Sequence, residues 1–191
     1  ERCELVLGGL ADSGDDPAAF VVGAGELVRM GELPAKGLVA EVAAAAEAVA
    51  ADARWESDVA LAAARRLLAA ADEGRALRDV GRIVASRPHS PAPASVPDGV
   101  LAMPWLESQF ADGPALFPRG LSAAWLGESI EAHGIPTGTS SSVSLAMRWH
   151  GARPAVLWEQ SGDPVRLTSP VLAPAWASIE SSGETLWPAA R

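Results

Sequence analysis

At 191 residues and 49% apolar composition, the chain is long enough for one sizeable core or two small ones and too apolar to be disordered throughout. Its formal net charge of −9 repels nucleic-acid phosphates and anionic lipid, so neither nucleic acid nor a membrane is an expected partner, and no run approaches the ~20 apolar residues needed to cross a bilayer. Cys3 is the single cysteine, which excludes an internal disulfide and a cysteine-based metal site and fits a reducing, cytoplasmic setting.

The chain begins at Glu1 without an initiator methionine, which leaves room for a preceding tag, leader or signal peptide. Arg2 to Leu7 alternates, with Cys3, Leu5 and Leu7 on one side, and predicts a short strand. Asp12 to Pro17 predicts a turn running into a helix: Asp15 or Asp16 can cap it, and Pro17 suits the first helical position. That helix should end at Gly31 and bury Phe20, Ala24, Leu27 and Val28.

A second helix opens near Pro34 and carries Leu38, Val42, Ala45, Ala46 and Val49 along one side. A third begins around Ser57-Asp58, turns Leu61, Ala64, Leu68 and Ala71 inward, and stops at Gly74. A fourth, from Arg75 to Ala85, gathers Leu77, Val80 and Val84. Its Arg75, Arg78 and Arg82 read as a solvated face, and with Lys36 the only lysine, arginine abundance says little by itself. Short connections favour antiparallel neighbours, so these helices predict a small bundle.

Ser86 to Gly99 holds Pro88, Pro91, Pro93 and Pro97 among Ser and Ala, a composition that predicts an extended linker or surface loop. Met103-Pro104-Trp105 then opens a helical turn that Gly113-Pro114 breaks. Ser122 to His133 predicts a helix with Trp125, Leu126 and Ile130 on one face, stopped by Gly134 and Pro136. A polar Thr137 to Ser141 loop follows.

Residues 142 to 169 can be paired in one register. In Ser142 to His150 the large apolar residues fall at every second position. A two-residue loop at Gly151-Ala152 sets Met147 opposite Val156 and Leu145 opposite Trp158, and makes one face apolar. A second turn over Ser161-Gly162-Asp163-Pro164 would bring in a third strand, with Leu167 beside Trp158 and Arg166 beside Glu159. Past Pro170, a short helix from Pro174 through Ser182 is preferred over a hairpin about Ser181-Ser182-Gly183, and a strand-like Thr185-Leu186-Trp187 closes the chain. The fold class is therefore α+β: an N-terminal helical bundle followed by a helix and a three- to four-stranded antiparallel sheet. The expected division is a mainly helical region with a short N-terminal strand over 1–86, a Pro-rich connector over 87–99, and a helix plus antiparallel meander over 100–191.

Chemistry-bearing patterns are sparse. The aspartates at 12, 15 and 16 lack the alternating ligands and terminal Glu of a calcium loop, and capping explains them. Gly23-Ala24-Gly25 opens like a dinucleotide fingerprint, but position 28 is Val and the segment sits inside a helical pattern. His89, His133 and His150 are too far apart in sequence for metal-ligand spacing; His133 fits a helix C-terminus, His89 a solvated loop. The hydroxyl-rich Thr137 to Ser142 loop lacks the Lys and Gly spacing of a phosphate loop, and no Gly-x-Ser-x-Gly elbow exists. Neither cofactor nor metal is expected.

Of seven tryptophans, Trp149 and Trp158 are expected in the core, while Trp105, Trp176 and Trp187 are free to anchor a partner. The reverse face of the sheet displays Ser144, Ala146, Arg148 and His150, then Ala155, Leu157 and Glu159, then Arg166 and Thr168. Arg148, His150, Glu159 and Arg166 are the expected binding residues of a non-catalytic or accessory module that recognises a protein partner, a small ligand or a second copy of the chain. The competing expectation is a small enzyme, hydrolytic in kind, with His150 or His133 as acid/base and Arg148 or Arg166 gripping an anionic substrate.

Overall fold

The computed structural model describes residues 16–88 and 90–189. The expected strand over 2–7 and His89 lie outside the described residues. The fold class is α+β, with five α-helices and two sheets of four strands each among the described residues. Two compact units divide between Trp105 and Leu106.

In the first unit, α1 (Pro17–Arg29) starts where the sequence asks it to: the Asp16 carboxylate accepts from the N–H groups of Ala18 and Ala19, both at 3.0 Å, and Pro17 occupies the first turn. A 3₁₀ turn at Ala35–Leu38 leads into α2 (Val39–Val49), followed by α3 (Trp55–Ala70) and α4 (Gly74–Ala85). Val42, Ala45, Ala46 and Val49 of α2 pack with Leu61, Ala64, Leu67 and Leu68 of α3 in one core. Small residues permit close approach: a Cβ added at Gly25 of α1 would stand 3.4 Å from that of Ala63 in α3. The break between α3 and α4 comes at Asp72, which takes the left-handed conformation (φ 61°), so Gly74 begins the next helix rather than stopping the previous one.

The Pro-rich stretch is irregular but fastened. The Arg87 guanidinium donates to the carbonyls of Val49 at 3.0 Å, Ala50 and Asp52, and meets the Asp58 carboxylate at 3.2 Å. Ser90 N–H donates to the same carboxylate at 2.7 Å, and the Trp105 indole donates to Pro93 O at 2.9 Å. Trp105 is thus committed to its own chain rather than offered to a partner.

Helix α5 (Ala102–Phe110) contains the division between the units. In the second unit, β1 (Ala111–Asp112) and β2 (Ala115–Leu116) flank the Gly113-Pro114 break. They form a mixed sheet with β6 (Leu167–Ser169) and β7 (Ala173–Ser178), in the order β1-β2-β6-β7. The other sheet is antiparallel, in the order β3-β4-β5-β8: β3 (Ile130–Pro136), β4 (Ser141–His150), β5 (Arg153–Gly162) and β8 (Ser182–Leu186). Leu145, Met147, Val156 and Trp158 on its inner face share a core with Leu116, Phe117, Leu167 and Trp187.

The β4–β5 hairpin has the expected register, with Leu145 opposite Trp158, Met147 opposite Val156 and Trp149 opposite Pro154. Three other expectations are overturned. The helix over 122–133 is a single 3₁₀ turn at Ala123–Trp125, because Leu126 is extended and Gly127 has φ 85°. Residues 130–136 then form β3, and Gly134 (φ 64°) lies at a bulge where its N–H meets the Ser144 hydroxyl at 3.2 Å, instead of ending a helix. His133 therefore has no helix dipole to sit against.

The third strand does not follow β5. At Gly162 (φ 78°) a Cβ would collide with the Ser140 carbonyl, and the chain leaves the sheet as Gln160 Oε1 accepts from Val165 N–H at 2.9 Å. Leu167 enters β6 of the other sheet, and the place beside Trp158 goes to Gly183 of β8. The expected helix over 174–182 is likewise replaced by β7 and β8, which pair in different sheets and so do not form the alternative hairpin either. Pro174 is accommodated because β7 is an edge strand.

Candidate functional site

The outer face of the antiparallel sheet carries most of the expected binding residues, and strand pairing arranges them in cross-strand rows. Arg148, Ala155 and Leu186 make one row; Glu131, Ala146, Leu157 and Glu184 make the next; Ser144, Glu159 and Ser182 make a third. His150 and Arg153 face each other at the hairpin end. Leu157 and Leu186 are diagonal neighbours, 41% and 42% exposed, so the centre of the face is apolar and open.

Around that centre the charges are ordered. Arg148 is paired with Glu131 across β3 and β4. The hydrogen bond from that guanidinium, reinforced by its charge, holds the Glu131 carboxyl below its ordinary value. Its ionised form persists to more acidic pH than a free glutamate, and the pair is lost only as pH falls through that lowered value. NMR titration of Glu131 should show a midpoint below that of an isolated glutamate, rising toward it in Arg148→Ala; an unchanged midpoint would rule the pair out in solution. Arg153 donates to the carbonyls of Trp187 at 3.0 Å and Leu186 at 3.3 Å, tying the end of β8 to the hairpin.

Of the four expected site residues, Arg148, His150 and Glu159 share this face and Arg166 does not. Arg166 lies in the irregular link after Gly162, and Glu159 stands opposite Ser144 and Ser182 instead. Ser144 is four residues from Arg148, so the Glu159 and Arg148 rows lie about 13 Å apart along the strand at ~3.3 Å per residue. Sequence reasoning passed over Glu131, Glu184 and Leu186; alternation after Gly127 was the available signal for the first, and the need for a partner strand on β5 for the other two.

The remaining candidates resolve into structure. Trp158 and Trp187 are buried, and Trp176, itself partly buried, packs against both with ring centroids 5.3 Å away, so Trp187 is a core residue rather than an anchor and Trp176 is held against it. Trp149 is partly buried and its indole donates to Glu128 O at 2.8 Å. In the Thr137 to Ser142 loop, the N–H groups of Thr137 and Gly138 both donate to Ser141 O, which turns them inward as a connector rather than outward to an anion. His133 and His150 are exposed on their strands. Among the described residues there is no group of three or more His, Cys, Asp or Glu able to hold a metal ion, and no helix long and apolar enough to cross a membrane. Compared with protein-family models, with curated proteins and with solved structures, the chain matches none.

Proposed function

We propose that this chain is a binding module that holds a protein partner against the outer face of its antiparallel sheet. One observation carries the reading: Leu157 and Leu186 stand exposed beside Ala146 and Ala155, ringed by Arg148, His150, Arg153, Glu131, Glu159 and Glu184. An apolar centre inside a charged rim is the anatomy of a protein interface, and an open sheet suits a broad partner better than an enclosed small molecule. Arg148, already positioned by Glu131, would orient the partner, while Leu157 would supply the buried contact.

Affinity capture with the full chain as bait tests this. Leu157→Glu should lose the captured partner by at least about tenfold in affinity, ~1.4 kcal/mol, and Arg148→Ala should weaken it to a lesser degree. Both positions are exposed, so the variants should keep the parent melting temperature. Undiminished capture by Leu157→Glu, or a turnover in a hydrolase screen that depends on His150, would reject the reading.

A further inference from the structure

The exposed side of α4, in the first unit, is a second candidate surface. Arg75, Arg78 and Arg82 fall at i, i+3 and i+7, the spacing that stacks side chains along one helix face over about 10 Å. With Asp79, Gly81 and Ala85 they line an open trough of about 580 Å³. Gly81 and Ala85 add almost no side-chain bulk, so the arginines dominate its lining. Asp79 is the only acid in that lining and is paired with Arg82, whose side chain nevertheless stays 79% exposed. Among the described residues neither Arg75 nor Arg78 makes an ion pair.

In a chain of net charge −9, a trough lined by three arginines and one acid is a local reversal of sign. We propose that it docks an acidic helical segment of a protein partner. The choice of occupant follows from length and openness. A single phosphate would engage one or two forks, whereas carboxylates at i, i+3 or i+4, and i+7 of a facing helix repeat the arginine spacing across the whole trough. Planar forks accept carboxylates in pairs of parallel hydrogen bonds, which gives such a face register as well as attraction.

The probe is a labelled, amidated helical peptide of about 15 residues, long enough to hold helix, with three glutamates at i, i+4 and i+7. It is compared with a scrambled peptide of the same composition and with inorganic tripolyphosphate. The full chain should bind the ordered peptide at low salt and lose most of that binding at high salt. Arg75→Gln/Arg78→Gln/Arg82→Gln should reduce affinity at least about tenfold, and the scrambled peptide should bind correspondingly less. Leu157→Glu should leave peptide binding unchanged, which separates this surface from the sheet. Absence of binding at low salt, equal affinity in the triple variant, or equal affinity for the scrambled peptide overturns the proposal. Arginine-dependent displacement of the peptide by micromolar tripolyphosphate overturns it in favour of a phosphate ligand.

Discussion

Replacing Trp158 with alanine is expected to lower the unfolding free energy of the second unit by about 3–5 kcal/mol, as truncation of a large buried aromatic does. The indole is 7% exposed, lies between Leu145 and Gly183 in the sheet, and meets Trp176 edge-on at 5.3 Å. Its N–H donates to Glu180 O at 3.2 Å, so the side chain also secures the turn between β7 and β8. Gly183 is part of the same device: a Cβ there would lie 2.5 Å from the indole ring, so only glycine lets the ring cross β8. Gly183→Ala should therefore destabilise the parent by about 1–3 kcal/mol and do much less in the Trp158→Ala background, a coupling that a double-mutant cycle measures. Additive effects of the two changes, or near-parent denaturant stability for Trp158→Ala, would contradict this packing.

That site also shows what the sequence could and could not disclose about the fold. Alternation plus a Gly-led two-residue loop determined the β4–β5 register, because a one-residue slip would have turned Trp158 and Met147 to solvent. The same parity argument could not say which strand lies on the far side of β5. Leu167 belongs in the core beside Trp158 whether it pairs with β5 or faces it from a second sheet, and the periodicity is identical in the two cases. The deciding features were steric and local: the Gly162 backbone, closed over by the Ser140 carbonyl, and the room that Trp158 requires at Gly183.

Residues 122 to 133 read as helix for a related reason. Their Ala, Leu and Glu content favours helix, while the conformation that ends it sits on one residue, Gly127, which a propensity reading tolerates inside a helix. The site inherited both errors. Arg148, His150 and Glu159 share a face because β4 and β5 pair as their alternation requires; Arg166 would join it only if Leu167 paired with β5, and Leu167 pairs with Ser178 in the other sheet. Glu131, which fixes the orientation of Arg148, was concealed in a helix that does not form.

The second large effect is expected at Arg87. Its guanidinium gathers the carbonyls of Val49, Ala50 and Asp52 at the end of α2, where carbonyls run short of helical donors, and joins them to Asp58 on α3. The two side chains are only 9% and 16% exposed, so removing one leaves the other charge poorly solvated. Arg87→Ala should cost about 3 kcal/mol or more, and Arg87→Lys should recover only part, since a single ammonium cannot reproduce a planar fork on four oxygens. The loss should also release the Pro-rich segment, because Ser90 reaches Asp58 and Ala53 only while this corner is closed. In the parent chain residues 86–99 should resist limited proteolysis despite their irregular backbone; in Arg87→Ala cleavage there should precede unfolding of the helices. Early cleavage of the parent at these prolines, or an Arg87→Ala chain with parent stability and an unchanged cleavage rate, would show that the segment hangs free and that the contacts of Arg87 do not hold it.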